Sequence, residues 1–421
     1  MIFNSVLDYF LEHNRYLNIL GILFILFVAW IFSRKRSHIN FRLVLSALFL
    51  QFVVGILVLK TSAGLYIMNK MAVGVEKVYE CANEGLKFVF GKLVDDSMPW
   101  GAIFAVKILP VIIFFGALMA LLYHFRIIQF FVLALSYIIR PILGTSGAET
   151  LCAITNSFLG QTEAPLLIKN YLHDMTKSEF MLVMISGMAT ISGAILVVFS
   201  QMGVPIQHLL SASAMAIPGA ILISKILLPE TEKPKTLEGA NIKLEKDSHN
   251  MFDAIFVGTS DGLQLALNVG AMLIVFLALM AMLNSVMGVV SLQVYSLLGL
   301  DWPELSMNLI FSYLFAPFSY LLGFVGQEAM KVGGLLGTKV VVNELLAYKS
   351  LVAEQLSPRT TSIVTYALCG FSNFSCIGIQ IGGIGGLVPG KKLWLTQLGL
   401  YAVLGGTLSN LMSAMIASLL I

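Results

Sequence analysis

The chain is expected to fold as an all-α polytopic membrane protein: about eight transmembrane helices, two re-entrant helical hairpins, interfacial amphipathic helices and inverted repeats. Three observations carry that expectation. Of 421 residues, 58% are hydrophobic and 12% charged, with a mean hydropathy of +0.88, and that is about half the charge density that covers a soluble globule. The apolar excess falls in uncharged runs near the length of about 20 residues that crosses a bilayer. Two further apolar stretches are broken at their middle by polar residues and glycine, which is tolerated at membrane depth only in backbone buried in protein or lining a wet cavity. The net charge of +3 comes with no long basic run, so nothing marks a nucleic-acid surface. Cys81, Cys152, Cys369 and Cys376 lie far apart or in apolar segments with no histidine at metal spacing, so neither a disulfide framework nor a zinc site is expected.

The elements follow in order. Leu17 to Phe32 and Leu43 to Leu59 are the first two crossings, and the basic loop Arg34-Lys35-Arg36 with Arg42 between them is cytoplasmic by the positive-inside rule. This places the N-terminus outside and the chain in the cell (inner) membrane. Asp8, Glu12 and Arg15 precede the first apolar run without a small-residue cleavage site, so the segment does not read as a removed signal peptide. Tyr66 to Phe90 sets Val73, Val75 and Val78 against Lys70, Glu76, Lys77, Glu80, Glu84 and Lys87 at helical spacing, which suits a helix lying on the membrane surface. Trp100 to Tyr123 crosses, interrupted by Lys107 and Pro110. Phe180 to Ser224 holds no charge and is divided into two crossings by the turn Gln201 to Pro205. Pro229 to Asn250 turns to lysine, glutamate and proline and is the aqueous internal loop, on the cytoplasmic side. Gly262 to Leu300 holds at least one crossing, Ser306 to Lys349 one or two, and Leu393 to Ile421 the last.

Gly144 to Tyr171 and Ser362 to Pro389 are the two broken stretches, read as hairpins at about 145–172 and 360–388. Leu151-Cys152-x3-Asn156 and Leu368-Cys369-x3-Asn373 share one spacing and both lead into the break, which suggests corresponding halves of a repeat. In secondary transporters, interrupted segments in corresponding halves point to the binding site.

The polar residues at these breaks carry the chemistry. Asn156-Ser-Phe-Leu-Gly160-Gln161-Thr162-Glu163-Ala-Pro165 supplies amide, hydroxyl and carboxylate groups before a proline suited to a first helical turn. Gly337-Thr-Lys339-x3-Asn343-Glu344-x3-Tyr348 places Glu344 in an apolar helix, where pairing with Lys339 is the plain alternative to a role in binding. Cys369-Gly-Phe371-Ser-Asn373-Phe374-Ser375-Cys376 offers aromatic faces against a flat ligand, or glycines that only tighten helix contacts. Asn156, the Leu159 carbonyl, the Thr190 hydroxyl and the Ile191 carbonyl suit Na⁺ if the first tip meets an unwound point between Gly187 and Gly193; Thr190 bonding back to its own helix is the alternative. Glu149, Asp253, Asp261 and Glu328 fall near span ends, where caps and ion pairs are the usual role. With two carboxylates and no arginine in either break, a neutral, hydroxyl-rich solute fits better than an anion.

Gly160-Gln-Thr-Glu-Ala-Pro165, Gly337-Thr-Lys-x3-Asn-Glu344-x2-Ala-Tyr348 and Cys369-Gly-Phe-Ser-Asn373-Phe-Ser together resemble the concentrative nucleoside transporter family, in order and from about Trp100 onward. The resemblance implies a homotrimer, a static scaffold (1–125 and 251–305) and a moving transport domain (126–228 and 306–421) that carries a nucleoside such as uridine or adenosine by an elevator motion. It implies that Gln161, Thr162 and Glu163 face the base, that Glu344 and Asn373 hold the ribose with Phe371, Ser375 and Cys376 beside them, and that Asn156, Leu159, Thr190 and Ile191 hold Na⁺. No cofactor beyond the coupling ion is implied, and H⁺ is the alternative ion. Where many members carry a serine pair, this chain has Ser375-Cys376, and a thiol bonds ribose more weakly. One cation crossing 100 mV supplies about 2.3 kcal/mol, enough for a roughly fifty-fold solute gradient. The other-class alternative, an intramembrane enzyme using Glu163 and Glu344 as acid and base, lacks a nucleophile or metal spacing. A sugar or nucleobase transporter is the alternative within the class.

Overall fold

The computed structural model describes residues 8–95, 103–237, 249–299 and 301–421. Trp100, at the head of an expected crossing, and positions 238–248 of the expected aqueous loop lie outside the described residues. Among the described residues the chain is helical throughout: α1 (Arg15–Ile31), α2 (Phe41–Lys60), α3 (Ser62–Phe90), α4 (Leu109–His124), α5 (Ile127–Leu143), α6 (Gly147–Thr155), α7 (Lys177–Ala189), α8 (Gly193–Gln201), α9 (Ile206–Leu227), α10 (Met251–Leu298), α11 (Met307–Leu321), α12 (Gly326–Val341), α13 (Glu344–Ala353), α14 (Pro358–Leu368), α15 (Phe374–Leu387) and α16 (Lys392–Leu420). Side-chain caps set many of the starts, because the first N–H groups of a helix have no partner in lipid: Asn40 for α2, Asn250 for α10, Asn343 for α13 and Asn373 for α15.

Seven helices among the described residues are long and apolar enough to cross a bilayer, or eight if the bent pair α11 and α12 is one span. That pair turns by 112° at 322–325, where Gly323 adopts φ +93° and passes so close to the turn before α1 that a Cβ there would sit 2.7 Å from the His13 carbonyl oxygen. The apolar window of α7 with α8 is 94% buried and that of α10 only 6%. The broken pair α7 and α8 therefore lies at the centre, with α10 as an outer wall of apolar side chains. Backbones meet directly where α10 packs on α4: a Cβ on Gly262 would stand 2.8 Å from Ile113 Cα, and one on Gly258 would stand 2.6 Å from the Gly116 carbonyl oxygen. The amphipathic stretch forms α3, 29 residues long, of which only Ala72, Ala82 and Leu86 are buried.

The first broken stretch doubles back on itself. α6 runs in, a tip spans 156–163, and a 3-10 turn (Ala164–Ile168) with one α-turn (Lys169–Leu172) returns against it. The second expected hairpin, at 360–388, is corrected. α14 and α15 barely touch each other and each runs along α16, as the two pieces of one broken helix do. The arms that do pack together are α12 and α13, on either side of Val342-Asn343. Two units of like order result: hairpin (α6 with its return), broken helix (α7/α8) and long helix (α9), then hairpin (α12/α13), broken helix (α14/α15) and long helix (α16). The Leu-Cys-x3-Asn echo thus joins unlike positions, a hairpin tip at Asn156 and a helix break at Asn373. Composition could not separate the two cases, since both need polar groups at a backbone break.

Replacing Gly262 by valine should force α4 and α10 apart, at a cost of about 1–3 kcal/mol. A melting temperature of the detergent-purified variant equal to that of the parent would refute this packing.

Candidate functional site

The site lies where the first hairpin tip, the Val342-Asn343 tip and the two helix breaks meet. α6 opens on a capping box in which Ser146 N–H donates to Glu149 Oε1 at 2.8 Å and Glu149 N–H to Ser146 Oγ at 3.4 Å. Glu149 also pairs with Lys225 Nζ at 2.6 Å, both side chains buried. Asp253 takes the cap role expected of it, accepting the His249 N–H at 2.8 Å, and Glu328 accepts the Thr360 hydroxyl at 2.5 Å. Asp261 sits on the exposed face of α10.

Beyond α6 the tip closes through Glu163 Oε2, which accepts the Gly160 N–H at 3.2 Å. Glu163 is exposed on this chain, whereas Gln161 is buried and donates from Nε2 to Cys376 Sγ at 3.3 Å. Thr162 is half-buried against α15, and a Cβ on Gly383 would collide with its Cγ2. The tip therefore nests on α15 only because position 383 has no side chain.

On the other side, Glu344 is not inside a helix as the sequence suggested; it is the first residue of α13, because α12 stops at Val341. Asn373 Nδ2 donates to Glu344 Oε2 at 2.8 Å. Asn373 Oδ1 accepts from Cys376 N–H at 3.0 Å, capping α15, and from Ser375 Oγ at 2.6 Å. Gln161, Cys376, Asn373, Ser375 and Glu344 thus form one linked polar set drawn from three elements: the first tip, α13, and α15 with its cap. Phe371 is half-buried, and Phe374 is 47% exposed.

Lys339 does not pair with Glu344. Its Nζ, 1% exposed, donates to the Ala367 carbonyl at 2.9 Å and to Asn410 Oδ1 at 2.6 Å. Asn410 Nδ2 in turn donates at 2.7 Å to the carbonyls of both Ala189 and Cys369, which α7 and α14 leave free at their broken ends. Asn410 was missed in the sequence, although a lone asparagine midway along an apolar 29-residue helix is the kind of signal that marks such a role.

Of the four expected ion ligands, Asn156 and Thr190 touch each other directly. Thr190 Oγ1 lies 2.8 Å from both the Asn156 carbonyl and the Ser186 carbonyl, so it bonds back to its own helix and reaches the tip as well. Asn156 Nδ2 donates to Ser186 Oγ at 2.9 Å, which leaves Asn156 Oδ1 buried with no hydrogen-bond partner. Gly193 N–H donates to the Phe158 carbonyl at 3.0 Å, tying the segment that holds Leu159 to the break that holds Ile191. A neutral cluster of oxygens with one orphaned acceptor fits a hard monovalent cation.

Three family models match this chain: the Na⁺-dependent nucleoside transporter C-terminus over residues 208–418, its N-terminus over 20–93, and a nucleoside recognition (gate) model over 105–205. The nucleoside permease NupC of Helicobacter pylori is 39% identical over 96% of this chain and 97% of its own length. The chain belongs to the Na⁺-dependent nucleoside transporter family. Similar solved structures are CNTnw in an inward-facing substrate-bound state (37% identity, TM-score 0.89, 96% of this chain and 98% of that one) and a CNTnw variant in an outward-facing state (36%, 0.89, 96% and 97%). This chain is a multi-pass member of that transporter family, and its matched relative is named as a nucleoside permease.

Asn410→Leu in the transporter orphans two carbonyls and takes one acceptor from a buried ammonium, at about 1–3 kcal/mol for each group. The variant should melt well below the parent, and Asn410→Asp, which keeps the acceptor for Lys339, should fall between them. An Asn410→Leu variant that melts with the parent would remove Asn410 from the account.

Proposed function

We propose that the chain couples Na⁺ entry to nucleoside uptake. The carrying observation is the buried, unpartnered Oδ1 of Asn156 beside Thr190: in a membrane interior an acceptor without a donor is costly unless a cation takes it. Na⁺ is held by Asn156, the carbonyls of Leu159 and Ile191, and Thr190. The base of the nucleoside meets Gln161, Thr162 and Glu163. The ribose hydroxyls meet Glu344 and Asn373, with Phe371, Ser375 and Cys376 completing the wall. The Asn373 to Glu344 bond leaves acceptors on the carboxylate and sets its direction before the sugar arrives.

The two hairpins with their broken helices move together past a scaffold of α1, α2, α4 and α10, and the assembly is a homotrimer. The exposed apolar length of α10 supports the second statement, since it must face lipid or other copies. One observation favours H⁺ as a second reading of the coupling ion: among the described residues no lysine or arginine ion-pairs with the buried Glu344.

Uridine uptake by the full chain in proteoliposomes should rise at least tenfold when an inward Na⁺ gradient replaces choline, and Asn156→Leu should abolish that response. Uptake indifferent to Na⁺ but driven by an inward proton gradient would transfer the coupling to Glu344. Glu344→Gln should raise the KM for uridine at least tenfold, as expected when a carboxylate that accepts two hydroxyls is lost.

A further inference from the structure

Gln380 stands in the apolar part of α15, fully buried, and has no place in the substrate set above. Its Nε2 donates at 2.9 Å to the Met184 carbonyl of α7 and at 3.0 Å to Gln161 Oε1. A backbone carbonyl only accepts, so the end of Gln380 that faces Met184 must be its NH2. The same NH2 then requires the oxygen end of Gln161, and Gln161 turns its own NH2 the other way, toward Cys376 and the site. Orientation passes from Met184 through Gln380 to Gln161 without a free choice at any step. The contact has no room for slack: a Cβ on Gly187 would stand 2.8 Å from Gln161 Cβ and 3.1 Å from Gln380 Nε2.

We propose that Gln380 is a specificity-positioning residue that fixes Gln161 as a hydrogen-bond donor to the base, so that the transporter selects nucleosides whose base presents a carbonyl oxygen beside a ring N–H. This rests on the reading that Gln161 and Glu163 face the base. Glu163, two residues on, is an acceptor already engaged with the Gly160 N–H. A fixed donor and an acceptor on one tip match uracil and hypoxanthine, whose edge offers C=O then N–H. Cytosine and adenine offer an amino group then a bare ring nitrogen, reversed at both points. Were the Gln161 amide free to rotate, it would serve either kind.

The test is the KM of uridine, inosine, cytidine and adenosine for Na⁺-driven uptake by the full chain in proteoliposomes. The parent should show a KM at least about tenfold lower for uridine and inosine than for cytidine and adenosine, the size of one unpaired buried polar group. In Gln380→Glu the oxygen that replaces Nε2 carries at most one proton; given to the Met184 carbonyl it leaves only lone pairs toward Gln161, and an ionised carboxylate offers only oxygens. Gln161 then turns its NH2 inward, and the preference should invert. Gln380→Met keeps the volume without the amide and should bring the four KM values within about threefold of one another, again because the discrimination is that of one hydrogen bond. A parent that does not discriminate, or a Gln380→Glu that transports with the parental ratio, overturns the proposal; the parental ratios are read whether or not either variant folds. Transport of none of the four nucleosides would overturn the proposed function instead.

Discussion

Asn410 joins the parts of this protein that would otherwise separate. From the middle of α16 its amide gives both protons to carbonyls at the broken ends of α7 and α14, and its oxygen takes the Lys339 ammonium from α12 and, at 3.3 Å, the Ser372 hydroxyl. A helix that stops in a membrane leaves carbonyls unsatisfied where no water can repair the loss. Two such helices stop within reach of one side chain, and a third element supplies the cation that holds its oxygen. Gly370 belongs to the same arrangement, because a Cβ there would collide with Asn410 Oδ1.

That knot explains why the site can be polar without being loose. Glu344, Asn373 and Cys376 sit on backbone that begins where α12 and α14 end, so their directions follow from the bonds of Lys339 and Asn410. The first tip is held separately, through Thr190 to Asn156 at its start and through Gln380 to Gln161 further on. Apart from the Lys339 ammonium and the carboxylates of Glu163 and Glu344, the groups that bond around the site are neutral amides, hydroxyls, a thiol and backbone. Neutral groups cost less to bury than charges, and they can change partners as the site opens without separating an ion pair.

Much of the fold was legible in the residues. Crossings showed as uncharged runs, α3 as a charged stripe at helical spacing, and the turn at Gln201 to Pro205 as a gap between two runs. The first tip was legible because Gly, Gln, Thr, Glu and Pro stand together in an apolar stretch. The helix break at Thr190 was legible from its glycines. What misled was the second tip: Val342-Asn343 is only two residues long and its neighbours are ordinary helix formers, whereas the break at 369–373 is polar and glycine-containing and looks more like a turn. Gln380 and Asn410 were hidden for a different reason, since one amide in an apolar helix says that it has a partner and not which one.

The sequence by itself determined the medium, the number and place of most crossings, and the residue types available at the breaks, because these depend on local hydropathy and on the cost of burying a charge or an unpaired amide. Only the tertiary structure decided which break is a hairpin and which an interrupted crossing, that Lys339 serves Asn410 rather than Glu344, and which way the amide of Gln161 faces. Those are properties of pairs of residues tens to hundreds of positions apart. A hydrogen bond is directional and short, and its partner is chosen by where the backbone brings the two groups, which no single stretch of sequence contains.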